Sequence, residues 1–160
     1  MKKTIALYAG SFDPVTYGHL DIIFRAKELW GPLVVLVLEN GAKKGLFSLA
    51  ERVDLLKQAL ADHPDIIVDT AAGLLADYAQ KHQLKILVRG IRGGADVESE
   101  MAQAHYNRLF NPALETVFLP AREQVQYISS SAVREVARCG GNLDTLVPPC
   151  VQRALREKFN

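Results

Sequence analysis

The residues with the clearest chemical potential lie near the start of the chain, in the stretch GSFDPVTYGH at residues 10–19. The apolar residues 4–9 before it predict a buried strand, and apolar residues at helical spacing follow it. This order places His19 in the first turn of a helix, where unpaired backbone N–H groups and the helix dipole favour a phosphate. Taken alone, two turn glycines and a surface histidine would explain the same residues.

Two further groups of cations follow predicted strands. Lys43 and Lys44 lie in a loop after the second strand, and Arg89 and Arg92 lie among glycines after the fourth. Lysine offers a point charge and arginine a fork of donors, and both suit phosphate oxygens. Adjacent loop lysines are commonly only solvated charges, so their place at the end of a strand is the observation that favours binding.

A third group is the serine-rich run ISSSAVR at residues 128–134, which predicts a helix start. Serines commonly cap helices without any further role, but three of them at a helix N-terminus also form a second anion site. In the preceding helix, Glu100, Gln103 and Asn107 share one face. That polar stripe is either ordinary solvent-facing surface or, at Glu100, a partner for a ribose or a guanidinium.

The hydrophobic pattern supplies the elements that would bring these groups together. Short apolar runs alternate with helical patterns, and the runs are continuous, which is typical of strands buried on both faces. The predicted strands are residues 4–9, 33–38, 66–68, 86–88 and 116–119. The predicted helices are residues 19–30, 49–60, 74–81, 95–109 and 131–139, with a last one after Pro148 and Pro149.

We therefore predict an α/β fold, a Rossmann-like, doubly wound parallel sheet of five strands in a single domain spanning residues 1–160. In such sheets the ligand lies outside the carboxyl ends of the strands, where the strand order reverses. Ser11 and His19 follow the first strand, Lys43 the second, Arg89 the fourth and Ser129 the fifth. All of these residues would lie at the same edge of the sheet.

Composition limits the classes of partner. The formal net charge is +1, so no overall field attracts nucleic acid or an anionic membrane surface. The opening residues 1–7 imitate a secretory signal, but the apolar stretch ends at Gly10 and no apolar run is long enough to span a bilayer. Cys139 and Cys150 lack metal-ligand spacing. We expect a cytoplasmic protein with small anionic ligands and no nucleic-acid or membrane partner.

The motifs together resemble one known family. Residues 10–19 resemble the G-[ST]-F-D-P-x-[TH]-x-G-H signature of the adenylyl- and cytidylyltransferase superfamily, and residues 128–134 resemble its I-S-S-[ST]-x-x-R element. Superfamily members that act on cytidine or nicotinamide substrates usually carry His-x-Gly-His, whereas this chain has Thr16. With its lysine and arginine pairs, the chain resembles the phosphopantetheine adenylyltransferase family along nearly its entire length.

This resemblance implies an enzyme that transfers AMP from ATP to 4′-phosphopantetheine. The products would be 3′-dephospho-coenzyme A and pyrophosphate, in coenzyme A biosynthesis. The resemblance also implies Mg²⁺ as a cofactor, with its ligands unassigned, and a homohexamer. Coenzyme A is a candidate feedback ligand that the sequence itself does not test.

The resemblance also implies roles for individual residues. Catalytic roles would belong to His19, Lys43 and Arg92. The acceptor 4′-phosphopantetheine would contact Ser11, Lys43, Leu75 and Arg89. ATP would contact a larger set, which is Ser11, Phe12, His19, Gly90, Ile91, Arg92, Glu100, Val125, Gln126, Tyr127, Ile128, Ser129, Ser130 and Ser131.

Two other functions stay open on the sequence. The first is a nucleotidyltransferase for another acceptor, either glycerol phosphate with CTP or nicotinamide mononucleotide with ATP; Thr16 argues against glycerol phosphate with CTP. The second is a module that senses ATP without turnover. The simultaneous presence of His19, Lys43 and Arg92 argues against it, since binding alone would not require cations on both sides of the α-phosphate.

Overall fold

In the computed structural model, which describes residues 5–39 and 45–159, the apolar runs form one parallel sheet. Its strands are β1 (Ala6–Gly10), β2 (Leu33–Leu38), β3 (Ile66–Ala71), β4 (Ile86–Ile91) and β5 (Glu115–Pro120). The strand order is β3-β2-β1-β4-β5, and every neighbouring pair is parallel. The order reverses between β1 and β4, so a ligand is expected above those two strands.

Helices cover both faces of this sheet. On one face lie α1 (Tyr17–Trp30), α2 (Leu49–Ala59), α5 (Ser130–Arg138) and α6 (Pro149–Phe159). On the other lie α3 (Leu75–Lys81) and α4 (Gly94–Phe110), which pack against each other. The predicted single-domain, doubly wound α/β fold is confirmed. None of the helices in the described part of the chain is long and apolar enough to cross a membrane.

The central strand β1 shows why the strands read as continuous apolar runs. Its side chains alternate between two cores: Ala6 and Tyr8 pack beneath α1, whereas Leu7 and Ala9 pack on the α3 side. All four are buried because helices cover both faces. The edge strand β3 differs, since Ile67 on this strand is exposed.

Several strands extend beyond their predicted ends. β3 continues to Ala71 through polar residues, which an edge strand tolerates because it is only half buried. β4 continues to Ile91, so the prediction that Arg89 follows the strand was wrong: Arg89 lies within β4. A carboxylate partner on α4, described below, makes a charged residue compatible with that position. β1 begins at Ala6, and the predicted first residue of that strand, Thr4, lies outside the described residues.

Candidate active site

A cleft of about 310 Å³ opens at the carboxyl edge of the sheet, above the point where the strand order reverses. The end of β1, the end of β4 and the first turns of α1 and α5 line it. The predicted site residues that it brings together are Ser11, His19, Arg89, Gly90, Arg92, Glu100, Val125, Ile128, Ser129, Ser130 and Ser131.

Other predicted site residues lie outside this lining. Phe12 is buried beneath the motif loop with a φ of 47°, in the left-handed region. Leu75 begins α3 and packs against the core on the α3 side of the sheet. Ile91 ends β4, and its carbonyl accepts the N–H of Ala121 at 2.8 Å. Lys43 lies outside the described residues, so its predicted role stays a prediction.

Gln126 and Tyr127 lie beside the cleft rather than in it. They line a shallower depression of about 250 Å³ together with Arg92 and Asp96. Tyr127 is 83% exposed, so no residue in the described part of the chain holds its ring against the cleft. Their predicted contact with the nucleotide stays a prediction.

His19 is fixed by the residue that begins α1. The backbone N–H of Thr16 donates to Nδ1 of His19 at 3.0 Å, and Thr16 Oγ1 lies 3.1 Å from the same nitrogen. Thr16 Oγ1 also accepts the backbone N–H of His19 at 3.4 Å, which completes a reciprocal cap. Because a backbone amide can only donate, Nδ1 is the acceptor. The proton of the neutral ring therefore lies on Nε2.

The surroundings of His19 also keep the ring uncharged. Burial, followed by the positive charges of Arg92 and Arg89, lowers the pKa of His19 from 6.5 to about 4. The ring of Phe12 packs edge-on against the imidazole, with 5.1 Å between the centroids, and holds its plane. At neutral pH His19 is therefore a fixed N–H donor that faces the cleft.

Gly18 is required by the loop that precedes α5. A Cβ at this position would lie 2.8 Å from the carbonyl oxygen of Ile128 and 3.3 Å from that of Val125. Both oxygens belong to the backbone, so neither can turn aside as a side chain could. The glycine therefore lets α1 approach this loop closely, which brings the N-termini of α1 and α5 to the same cleft.

The three serines of α5 use their hydroxyls inside the protein. Ser129 Oγ caps the helix by accepting a backbone N–H at 3.1 Å, and Ser130 Oγ donates to the carbonyl of Pro14 at 2.8 Å. Ser131 Oγ accepts from an arginine one turn later at 3.3 Å. The backbone N–H groups of Ser130 and Ser131 form no hydrogen bond to other described residues. These amides are the donors that α5 offers to a ligand.

Arg89 is held by two partners at the floor of the cleft. Its Nε and Nη2 donate to the two carboxylate oxygens of Glu100 at 2.6 and 2.7 Å, and Nη1 donates to the carbonyl of Ala9 at 2.6 Å. Burial is the largest single effect and opposes the charge, but the hydrogen bonds that Arg89 donates to Glu100, the negative charge of Glu100 and a contribution from Tyr8 together outweigh burial and raise the pKa of Arg89. The sequence left either a ribose or a guanidinium as the partner of Glu100, and the structure shows the guanidinium of Arg89. Two N–H groups of Arg89 remain for a ligand.

Arg92 is more exposed than Arg89 and is held by fewer contacts. Its Nε and its backbone N–H contact one carboxylate oxygen of Asp96, at 3.0 and 3.3 Å. The Arg92 side chain is 47% exposed, so water screens this pair and the guanidinium can turn toward a ligand at low cost.

Comparison with known proteins agrees with this geometry. A sequence model of the cytidylyltransferase-like family matches residues 7–136, which contain both motifs. A phosphopantetheine adenylyltransferase from Syntrophotalea carbinolica is 48% identical over 159 residues, which cover 99% of this chain and 96% of the relative. The chain belongs to the phosphopantetheine adenylyltransferase family. The motif resemblance read from the sequence is therefore confirmed.

In this member of the phosphopantetheine adenylyltransferase family, Asp13 of the first motif connects three segments. Its two carboxylate oxygens accept the N–H groups of Leu46 and Phe47, each at 2.8 Å. Arg134 of the second motif donates to the backbone carbonyl of Asp13. Asp13 therefore joins both motifs to residues 46–47, which precede α2.

Arg52 is a structural residue of the site that sequence reasoning missed. It is buried on α2, and its Nη1 donates to the carbonyls of Ser11 at 2.9 Å and of Leu38 at 3.3 Å. It thus joins the ends of β1 and β2. The signal was present in the sequence, since Arg52 lies three and four residues before the buried Leu55 and Leu56, at the spacing of a core-facing stripe.

The described side chains form no preformed metal site. Among residues 5–39 and 45–159, no three His, Cys, Asp or Glu side chains cluster as metal ligands. Both oxygens of Glu100 are bound to Arg89, and both oxygens of Asp13 are bound to backbone amides. Mg²⁺ usually keeps several waters and binds through one or two carboxylates together with substrate phosphates.

Proposed function

We propose that this protein transfers the adenylyl group of ATP to 4′-phosphopantetheine and releases pyrophosphate, so that 3′-dephospho-coenzyme A forms in coenzyme A biosynthesis. Membership of the phosphopantetheine adenylyltransferase family supports this reaction. The observation that carries the mechanism is the neutral His19 ring, which lies between two helix N-termini with Nε2–H as its donor.

The reaction needs no general base. The attacking group is a phosphate monoester, whose second pKa is about 6, so it is largely dianionic at neutral pH and has no proton to lose. The barrier comes from charge that develops on the oxygens of the α-phosphate as the acceptor attacks and pyrophosphate leaves. Donors fixed before the reaction stabilise this charge without reorganising. Nε2–H of His19 is such a donor.

The cations divide between the two substrates. Lys43 and Arg89 hold the phosphate of the acceptor, and Arg92 holds the nucleotide and the charge that develops during transfer. The two remaining N–H groups of Arg89 and the exposed guanidinium of Arg92 leave both side chains able to bind a phosphate, which supports this division. Ser11 contacts both substrates, and Leu75 contacts the pantetheine arm.

The nucleotide lies along the second motif. The free amides of Ser130 and Ser131 at the start of α5 support binding of its outer phosphates. Gly90 and Ile91 at the end of β4 and the segment from Val125 to Ser129 surround the base and ribose. Phe12 contributes from the motif loop, and Gln126 and Tyr127 also contact the nucleotide. We propose ATP rather than CTP as the substrate, because the family assignment favours it.

Four further properties belong to this proposal. Mg²⁺ is the proposed cofactor; it would be held mainly by the triphosphate, whose charge it would partly neutralise, since the described side chains form no cluster of metal ligands. The enzyme assembles as a homohexamer, and the exposed apolar side chains of Met101, Leu109 and Phe110 on α4 support a protein interface there. The enzyme works in the cytoplasm, which the two free cysteines support. Coenzyme A is the candidate feedback ligand, and titration of the protein with coenzyme A would test its binding.

The reaction is tested by pyrophosphate release with different substrate pairs. We expect rapid release from ATP with 4′-phosphopantetheine, and formation of 3′-dephospho-coenzyme A by mass spectrometry. Glycerol phosphate and nicotinamide mononucleotide as acceptors, and CTP as donor, serve as matched controls at equal concentrations. Equal turnover with CTP, or faster turnover with another acceptor, would contradict the proposal.

A further inference from the structure

Tyr8 is a polar side chain in the cleft that the mechanism above does not use. It lies in β1, directly before the first motif, and only 7% of the residue is exposed. β1 pairs with β2 on one side and with β4 on the other, so the backbone of Tyr8 is covered at both edges. The part of Tyr8 that lines the cleft is therefore its side chain.

The hydroxyl of Tyr8 forms no hydrogen bond with any of the described residues. Within that part of the chain, Thr116 Oγ1 is the only side-chain polar atom that is fully buried and has no hydrogen-bond partner. The Tyr8 oxygen has no such partner either but is not fully buried, so part of its surface is accessible. Since Tyr8 lines the cleft, we place that accessible surface in the cleft. Buried polar groups in folded proteins almost always have a partner. The missing partner of Tyr8 is thus expected in a ligand.

The ring of Tyr8 is fixed before any ligand arrives. Phe12 packs against it edge-on, with 5.6 Å between the centroids and 66° between the planes. The same Phe12 ring packs edge-on against His19, so the three rings form one edge-to-face cluster, in which Tyr8 and His19 line the cleft. A hydroxyl held in this way loses little conformational freedom when it binds a ligand.

The charges around Tyr8 indicate which ligand its hydroxyl would meet. Burial raises the pKa of Tyr8 to about 12, and the nearby positive charges of Arg89 and Arg92 only partly oppose this shift. The hydroxyl is therefore protonated at any physiological pH and can donate. With two cations and two helix N-termini at the same cleft, the oxygen brought to it belongs to an anion.

We propose that the Tyr8 hydroxyl donates a hydrogen bond to a phosphate oxygen of a bound substrate, and that Tyr8 is a further substrate-binding residue. The identity of that phosphate, in ATP or in the acceptor, rests on the proposed function. Tyr8→Phe removes only the hydroxyl and keeps the edge-on packing of the ring against Phe12. Tyr106→Phe, at an exposed position on α4, is the matched control.

The test is calorimetric titration of wild type, Tyr8→Phe and Tyr106→Phe with ATP, with 4′-phosphopantetheine and with pantetheine, which lacks the phosphate. We expect Tyr8→Phe to bind one or both phosphate ligands at least about tenfold more weakly, as for loss of a hydrogen bond to a charged group. The ligand that loses affinity identifies the phosphate. The affinity for pantetheine and the unfolding midpoint without ligand should not change.

Wild-type affinity of Tyr8→Phe for both phosphate ligands would overturn the proposal. An equal loss of affinity for pantetheine, or a lower unfolding midpoint without ligand, would also overturn it, because either result assigns the hydroxyl a structural role. A different result would refute the proposed reaction. A wild-type protein that binds ATP but forms no 3′-dephospho-coenzyme A would refute the reaction, while the titrations with the two phosphate ligands would still decide the role of Tyr8.

Discussion

The N-termini of α1 and α5 meet at one cleft but contribute to it in different ways. At α1, the capping residue Thr16 turns the side chain of His19 into a donor for the ligand. At α5, the serine hydroxyls bind protein atoms, and Ser130 reaches the first motif through the carbonyl of Pro14. The comparison separates a helix start that offers a side-chain donor from one that offers backbone amides and structural contacts.

Removing the side-chain donor of α1 should have the largest effect on turnover. We expect His19→Ala to lower kcat by about 10²–10³, as for loss of one preorganised donor to a developing charge, with little change in ATP affinity. Steady-state kinetics and equilibrium binding of ATP separate the two quantities. His105→Ala, at an exposed position on α4, is the control. Turnover of His19→Ala near the wild-type rate, or a parallel loss of ATP binding, would contradict this role.

Separating the two helix starts should have the next largest effect. Gly18→Ala places a Cβ 2.8 Å from the carbonyl oxygen of Ile128, so the loop before α5 must shift. We expect a loss of about 1–3 kcal/mol in the free energy of unfolding, as for other overpacked sites, and a lower kcat/KM for ATP. Gly94→Ala is the control, since, apart from its chain neighbours and its own helix backbone, no atom of the described residues lies within 4 Å of the Cβ it would carry. Wild-type stability and activity of Gly18→Ala would show that the close approach is not needed.

The cations beside the two helices should divide by substrate. We expect Arg89→Ala to weaken binding of 4′-phosphopantetheine and Arg92→Ala to weaken binding of ATP, each by about tenfold, as for loss of a charge-assisted contact. Arg89→Ala should also lower stability, because it leaves the carboxylate of Glu100 without its partner. Adding Glu100→Gln should restore part of that stability. Separate titrations with each ligand decide the division. The opposite pattern would mean that Arg89 binds ATP and Arg92 binds 4′-phosphopantetheine.

The smallest effect is expected at the serine side chains of α5. Ser130→Ala removes the donor to the carbonyl of Pro14, which should lower the free energy of unfolding by about 1 kcal/mol. Because the backbone amides remain, kcat should change less than twofold. Chemical denaturation and steady-state kinetics measure both quantities. A large fall in kcat without a loss of stability would mean that this hydroxyl acts on the substrate.

Much of this arrangement could be predicted from the sequence, because both helix starts are local features. The strand order could not be read directly, but the rule for ligand sites in parallel sheets placed His19 and the serines at one edge. Arg89 was predicted after its strand because a charge seldom lies within a buried strand. The partner that permits it, Glu100, is eleven positions away on another element and makes its contact only in the folded chain.

Other features depend on contacts that a linear pattern does not contain. The need for a glycine at position 18 comes from a backbone carbonyl 110 positions later, at Ile128. The tautomer of His19 depends on the direction of one amide, that of Thr16. Tyr8 was read as part of an apolar strand, and only the cleft shows that its polar end is open. These features follow from how the helices pack on the sheet.

The neutral Nε2–H form of His19 is the feature on which the mechanism depends, and nitrogen-15 NMR of the side chain reports it directly. Between pH 5 and pH 8 we predict an unprotonated Nδ1 and a protonated Nε2, with the second proton binding only near the pKa of about 4. Because this pKa lies below the unfolded value of 6.5, acid should destabilise the fold as the pH falls from 6.5 toward 4. Titration of His19 near pH 6.5, or a proton on Nδ1, would contradict the assignment of His19 as a fixed neutral donor.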